Sequence, residues 1–155
     1  MKNLYKQGIT AIELIIVLAV LGIIFSIVIP QFSTMRKNQV LKSAVSDVLS
    51  ALDEAKSKTL ASLDSSSYGV HLESDKVIIF KGTVFLVNDA NNETMNITTP
   101  ASISNVTLAG ISGNTGDIFF NRLSGSPNVT GTITISVPSI SKIITISAAG
   151  GVSVN

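Results

Sequence analysis

The sequence predicts an α+β fold in which a long N-terminal helix packs on a C-terminal antiparallel β-sheet head. Three observations predict it. Residues 9–30 form an apolar run in which Glu13 is the only charged residue. Over residues 41–55, apolar side chains recur at three- and four-residue steps, which is typical of a helix with one apolar stripe. From residue 68 onward, apolar and polar residues alternate, which is typical of half-buried strands.

These patterns divide the chain into four segments. Residues 1–8 are a short basic leader, and residues 9–30 are a helix long enough to span a bilayer, which needs about 20 apolar residues. Residues 31–64 are an amphipathic helix, and residues 65–155 are a β-rich globular head. The stripe of the amphipathic helix consists of Leu41, Ala44, Val45, Val48, Leu49, Leu52 and Ala55. It needs a partner surface, which we expect the strands to supply through Val77, Ile79, Ile133 and Ile135.

The amphipathic helix is predicted to end between Leu60 and Asp64, before a run of serines. Glu54 and Lys58 are spaced to form an ion pair on its wet face. His71 is predicted to be a surface residue on an edge strand. The predicted strands are Tyr68–Leu72, Lys76–Lys81, Thr83–Val87, Ile103–Leu108, Ile118–Leu123, Thr130–Val137 and Lys142–Ser147, with a polar loop at Asp89–Thr94 and a hairpin link at Pro138–Ser141.

The apolar run has features that an ordinary targeting segment does not explain. A secretory signal has an apolar core of about 7–15 residues and a small-residue cleavage site after it. Here the run is longer, and Pro30-Gln31-Phe32 follows it. A plain signal anchor accounts for the length of the run. It does not account for Glu13, because a charge within a bilayer is costly and usually functional, or for Gly8 directly before the run.

The segment Gly8-Ile9-Thr10-Ala11-Ile12-Glu13-Leu14 resembles the signature of type IV pilins and type II secretion pseudopilins, commonly written G-F-T-L-I-E-L. Gly22 and Pro30 fall where many of these proteins carry a glycine and a proline in the helix. Ile9 departs from the more usual Phe or Met. The match covers about thirty residues, and its specificity lies in the whole set of residues.

This resemblance implies a pilin-like fold and a defined route of processing. A prepilin peptidase would cut after Gly8, so that the leader is lost, and would methylate the new amine of Ile9. Glu13 would pair with the N-terminal amine of a neighbouring subunit during assembly. Before assembly the protein would be a single-pass inner-membrane protein with its head outside the cytoplasm. Gly22 and Pro30 would be soft points between which helicity can be lost in a filament.

The C-terminal half carries a second resemblance. The segment Phe120–Gly125, a threonine-rich strand and the segment Ile144–Val152 together resemble the end of H-type minor pseudopilins. Those proteins often close with Gly-Arg-Val, and Gly151 stands here where the arginine would be. The resemblance therefore implies the strand pattern but no role for that arginine.

Composition argues against several function classes. The chain has no cysteine and one histidine, and it contains no Cys/His metal cluster, phosphate-binding glycine loop or nucleophile elbow, so we predict neither an enzyme nor a cofactor. The polar segment Asp89–Glu93 lacks the ligand spacing of a calcium loop, and a solvated turn is the simpler interpretation. Formal charge is +1, and beyond Asn96 the only charged residues are Asp117, Arg122 and Lys142, which argues against a nucleic-acid partner.

The sequence thus predicts a structural subunit of a type II secretion pseudopilus or a type IV pilus-like filament, of the minor pseudopilin or minor pilin kind. Its partners would be prepilin peptidase, other pilin or pseudopilin subunits and the inner-membrane assembly platform. The alternative on the same scaffold is a pilus-tip binding module, which is an adhesin or competence pilin whose head holds a ligand. A membrane-anchored surface protein unrelated to pili is a third hypothesis, and cleavage after Gly8 would separate it from the first two.

Overall fold

The computed structural model describes residues 9–155, so the predicted leader and Gly8 lie outside the described residues. Helix α1 spans Ala11–Leu60 and is followed by a 3-10 turn at Leu63–Ser65. The predicted helix end, between Leu60 and Asp64, is confirmed. Nine strands follow: β1 Tyr68–Leu72, β2 Lys76–Lys81, β3 Glu93–Asn96, β4 Ser102–Leu108, β5 Ile111–Gly113, β6 Gly116–Phe119, β7 Gly131–Val137, β8 Ile140–Ile146 and β9 Val152–Val154.

The chain divides into two compact units, and the division falls within α1. The first unit ends at Arg36, and the second, here called the head unit, is Lys37–Asn155. The second half of α1 therefore belongs to the same compact unit as all nine strands. The apolar stripe of α1 explains this grouping, because the buried residues of the helix begin at Leu41.

The strands form two antiparallel sheets, where the sequence had suggested one. A four-stranded sheet has the order β3-β2-β1-β6, and a five-stranded sheet has the order β5-β4-β7-β8-β9. The coarse α+β prediction is confirmed, namely a long apolar N-terminal helix with antiparallel β-sheet packed on its second half. The second sheet was missed because alternation predicts individual strands and does not say which strands share hydrogen bonds.

The core of the head unit lies where the helix stripe meets both sheets. Of the predicted stripe residues, Leu49 is only partly buried, and the others are buried together with Ala51. The stripe shares one apolar cluster with inward-facing residues of both sheets. That cluster includes the four residues predicted to supply the partner surface, Val77, Ile79, Ile133 and Ile135.

A buried threonine joins the end of α1 to the start of β1. The Thr59 hydroxyl donates to the carbonyl of Ala55 at 2.8 Å and accepts a hydrogen bond from the backbone N–H of Tyr68, also at 2.8 Å. Thr59 is fully buried, so this pair of bonds satisfies polar groups that water cannot reach. Nearby, Lys58 pairs with Glu54 at 2.9 Å, as the helix spacing predicted, and also with Glu93 of β3 at 2.6 Å.

Two local predictions after β2 are wrong. Thr83–Val87 is an irregular segment and not a strand, because Gly82 has a φ of +107° that turns the chain out of the β2 direction. Phe85 then packs edge-on against Phe80 at 5.7 Å between ring centroids. The strand that pairs with β2 is instead β3, whose first residues were predicted to be loop. Its side chains are mostly exposed, so its backbone pairing left no apolar pattern in the sequence.

The edge-strand position predicted for His71 is also wrong. Strand β1 lies between β2 and β6, so His71 is on an inner strand. Its ring stacks on Phe85 at 3.9 Å between centroids. Its Nδ1 contacts the carboxylate of Asp117, and its Nε2 lies 3.3 Å from Oε1 of Glu73. These contacts cover the outer face of the four-stranded sheet and hold the segment after β2 against it.

Candidate membrane and assembly segment

The described part of the first unit, from residue 9 onward, presents apolar side chains in every direction. The helix is long and apolar enough to span a membrane, and none of its most apolar 18-residue window is buried within the chain. A helix that is apolar all round matches an environment of lipid or of other apolar helices. The exposed large apolar side chains are Ile9, Ile12, Leu14, Ile15, Ile16, Val17, Leu18, Val20, Leu21, Ile23, Ile24, Phe25, Ile27, Val28, Ile29, Phe32 and Met35.

The first turn of α1 is closed by a reciprocal pair of side chains. The backbone N–H of Glu13 donates to the Thr10 hydroxyl at 3.3 Å. In return, the backbone N–H and the hydroxyl of Thr10 both donate to Oε2 of Glu13, each at 3.4 Å. This is the arrangement of a capping box, in which a Thr and a Glu three residues later satisfy N–H groups at the helix start. The spacing Thr10-x-x-Glu13 is the sequence signal for this cap.

The capping box gives Glu13 a second explanation besides pairing between subunits. A carboxylate in the first turn of a helix is also favoured by the helix dipole. Both bonds from Thr10 reach Oε2, so among the described residues Oε1 has no hydrogen-bond donor. The carboxylate can therefore cap its own helix and still accept a hydrogen bond from an ammonium group. Ile9, which would carry that group after cleavage, is exposed and lies four residues before Glu13, just outside α1.

The two predicted soft points lie inside a continuous helix. The backbone is helical from Ala11 through Gly22 and Pro30 to Leu60. Proline has no N–H, so one helical hydrogen bond is necessarily missing at Pro30. A methyl group placed on Gly22 would meet no described atom within 4 Å, so packing within this chain does not require a glycine there. Loss of helicity between these residues in a filament stays a prediction.

The head unit offers weaker candidates for a binding site. A recess of about 310 Å³ is lined by residues that include Lys58, Asp64, Tyr68 and Glu93. Its charges are already matched, because Lys58 pairs with Glu93 and the Lys81 ammonium lies 3.0 Å from Asp64. Lys81 also holds the pKa of Asp64 below its ordinary value, mainly through their hydrogen bond. The recess therefore lacks an unpaired charge with which to hold an ionic ligand.

The polar turn after β2 is built by its own side chains. Oδ1 of Asp89 accepts hydrogen bonds from the backbone and the side-chain nitrogens of Asn91, at 2.8 and 2.7 Å. These bonds lower the pKa of Asp89, the backbone bond contributing most. Across residues 9–155, no group of three His, Cys, Asp or Glu side chains is placed to hold a metal ion.

Comparison of the chain with protein-family models, with curated proteins and with solved structures finds no match in any of the three. The candidate functional site consists of the first turn of α1 and the exposed apolar surface that follows it, on a chain whose head unit has its own core.

Proposed function

We propose that this protein is a structural subunit of a type IV pilus-like or type II secretion filament, cut by a prepilin peptidase after Gly8 and assembled through α1. The observation that supports it most is the combination at the start of α1. A carboxylate, Glu13, lies in the first turn of a helix whose apolar surface is exposed on all sides. The same helix continues into a separately packed head unit.

The exposed apolar side chains of α1 require apolar surroundings both before and after assembly. Burial of one large aliphatic or aromatic side chain stabilises by about 1.5–3 kcal/mol relative to its exposure to water. Residues from Ile9 to Ile29 match the thickness of a bilayer core, which takes about 20 helical residues. In this proposal, lipid covers the segment before assembly, and the same segments of other subunits cover it in the filament.

Glu13 would set the axial position of each subunit as it moves from the lipid into the filament. An unpaired carboxylate in hydrocarbon is costly, and an ammonium group opposite it removes much of the cost. Cleavage after Gly8 would create such an ammonium at Ile9 of each subunit. A neighbouring subunit would then be favoured only at the axial position that brings its amine to Glu13.

The proposed topology places the leader in the cytoplasm and the head unit on the other side of the membrane. Lys2 and Lys6 favour a cytoplasmic N-terminus, whereas Arg36, Lys37 and Lys42 beyond the apolar run favour the opposite orientation. Charge counting alone therefore does not decide the orientation. The orientation follows from the proposed cleavage, because a prepilin peptidase acts at the cytoplasmic face.

Two substitutions separate the pairing role of Glu13 from its capping role. Glutamine can replace glutamate in a capping box, so Glu13→Gln keeps the helix cap and removes only the charge. Thr10→Ala removes the cap and keeps the carboxylate. We expect both variants to be cleaved, and we expect only Glu13→Gln to be depleted from sheared filaments relative to membranes.

The readout is the ratio of processed subunit in filaments to that in membranes, measured by immunoblot. If Glu13→Gln enters filaments as well as the parent does, while Thr10→Ala does not, Glu13 acts as a helix cap and the pairing role is wrong. If no filament contains the parent protein, the proposed function itself is wrong.

A further inference from the structure

Three cations follow the apolar run on the side of the membrane where the proposed topology makes them unusual. Arg36, Lys37 and Lys42 are the only charged residues between Glu13 and Asp47. Loops that carry an excess of Lys and Arg usually lie in the cytoplasm, whereas the proposed topology places these three residues outside it. Neither the proposed cleavage nor the proposed role of Glu13 explains them.

The first two of these cations have no anionic partner within residues 9–155. Arg36 is exposed and Lys37 is half-buried, and neither side chain forms an ion pair or a hydrogen bond with another described residue. The lysines farther along α1 differ in this respect. Lys56 donates to the Gly150 carbonyl at 2.8 Å, and Lys58 pairs with two carboxylates. Arg36 and Lys37 therefore remain available to an anion that the chain itself does not supply.

Helix geometry places the charge of Arg36 at the depth of the lipid headgroups. A span of about 20 residues counted from Ile9 ends near Ile29. At about 1.5 Å of rise per residue, the Cα atom of Arg36 lies about 10 Å beyond that point. Long helical side chains lean toward the N-terminus and cover the preceding turn, which brings the guanidinium about 5 Å closer to the bilayer. The headgroup layer extends about 5–8 Å beyond the hydrocarbon on each side, so the guanidinium lies within it.

Phe32 and Arg36 follow the order of the bilayer layers along one face of the helix. Their four-residue spacing places them on the same face, with Phe32 one turn nearer to the apolar run. The Phe32 side chain is 67% exposed, so its ring is free to meet the edge of the hydrocarbon. An arginine stem covers apolar surface while its charged end stays in a polar layer. The planar guanidinium also matches the geometry of a phosphate group, with which it can form two parallel hydrogen bonds.

We propose that Arg36 and Lys37 bind the phosphate groups of anionic phospholipids in the leaflet on the side of the head unit. Each Lys or Arg near an anionic lipid surface strengthens binding about fivefold. Movement of the helix along the membrane normal in either direction would take both cations out of the phosphate layer. The contact therefore fixes the depth of the subunit in the membrane before assembly. The proposal rests on the membrane-spanning part of the proposed function, and it does not depend on a filament.

Native mass spectrometry of the full-length protein in a neutral detergent tests the contact. The protein is titrated with phosphatidylglycerol and, separately, with phosphatidylcholine of the same chain length, and we expect the parent to bind phosphatidylglycerol several-fold more tightly. Arg36→Gln should weaken phosphatidylglycerol binding about fivefold, and the double variant with Lys37→Gln about 25-fold, with phosphatidylcholine binding unchanged. Lys142→Gln is the matched control, because it removes one exposed cation from β8 and should bind both lipids as the parent does. Lys2 and Lys6 are present in every variant, so the differences report on the substituted residues.

Three results would overturn the proposal. The first is a parent protein that binds the two lipids equally, and the second is an Arg36→Gln protein that binds phosphatidylglycerol as tightly as the Lys142→Gln control does. The third is a parent protein that binds inorganic phosphate as tightly as it binds phosphatidylglycerol, because the cations would then hold a free anion and not a lipid. Each of these results leaves the filament function intact. Absence of filaments from the cells would remove the filament function and leave the lipid contact standing.

Discussion

Replacement of Leu52 tests whether the second half of α1 is part of the head-unit core. Leu52 is 1% exposed and belongs to the apolar cluster that α1 shares with both sheets. Leu52→Ala should lower the free energy of unfolding by about 2–5 kcal/mol, since it removes buried methyl groups and leaves a cavity. For a unit of this size, each kcal/mol corresponds to a shift of about 4 °C, so Tm should fall by about 8–20 °C.

Leu52→Asp should be more severe, because it adds an unpaired charge to the same cavity. The total stability of a domain is only about 5–15 kcal/mol, so this variant should be largely unfolded at room temperature. The neighbouring Asp53 is exposed, and Asp53→Ala is the matched control with an expected Tm close to the parent. Thermal melts by circular dichroism on residues 37–155 measure all three variants. Equal Tm values for Leu52→Asp and the parent would refute the packing of α1 on the sheets.

Three further predictions concern single contacts in the head unit. Thr59→Val should lower the free energy of unfolding by about 1–3 kcal/mol in thermal or urea melts, because it leaves the Tyr68 N–H without its acceptor. Ser57→Ala, on the exposed face of the helix, should leave the stability nearly unchanged. Gly131→Ala should lower the free energy of unfolding by about 1–3 kcal/mol, because its methyl group would collide with the Thr107 carbonyl across the β4–β7 ladder. Gly113→Ala is the control, since its methyl group meets only ordinary contacts and should be tolerated. Asp64→Asn should lower Tm at pH 7 but not at about pH 2. Lys81 lowers the pKa of Asp64 in the folded state, so the ion pair stabilises the fold above the unfolded pKa of 3.8. That stabilisation is lost as the pH falls through the folded-state pKa of Asp64. A Tm difference that is the same at both pH values would contradict this assignment.

The elements with a strong period could be predicted from the sequence. The helix stripe from Leu41 to Ala55, the strands β1 and β2 and the hairpin of β7 and β8 all carry apolar spacing that follows burial. In β7, Ile133, Ile135 and Val137 are buried on one face as the alternation predicted. These elements bury one face against a common core, so their local pattern and their tertiary position carry the same information.

The elements that were missed depend on partners distant in sequence. Strand β3 is exposed and exists because β2 offers it a hydrogen-bonding edge. Strands β5 and β9 have three residues each, which is too short for a period to be recognised. Conversely, Thr83–Val87 has an apolar composition, but Phe85 packs by stacking on His71 and not by strand pairing. Ring stacking of this kind leaves no regular spacing in the sequence.

The features of the candidate site also divide into those that have a local sequence signal and those that only the fold creates. Glu13, Gly22 and Pro30 could be placed on a helix by the apolar run alone. The reciprocal bonds between Thr10 and Glu13 could have been predicted from the Thr-x-x-Glu spacing, and they add a structural role to a residue that was assigned only an assembly role. The hydrogen bond from Arg122 to the Ser65 carbonyl could not be predicted, because these residues are far apart in sequence and only the fold brings them together.

The mass of the mature N-terminal peptide shows whether the protein is cut after Gly8, on which the proposed filament function depends. The protein is extracted from the membranes of its own cells, digested and analysed by mass spectrometry. We expect a peptide that begins at Ile9 and carries one methyl group on its amine, which requires a cut after Gly8. An intact Met1, or a mature chain that begins near Gln31, would contradict prepilin processing and with it the assignment of this protein to a pilus-like filament.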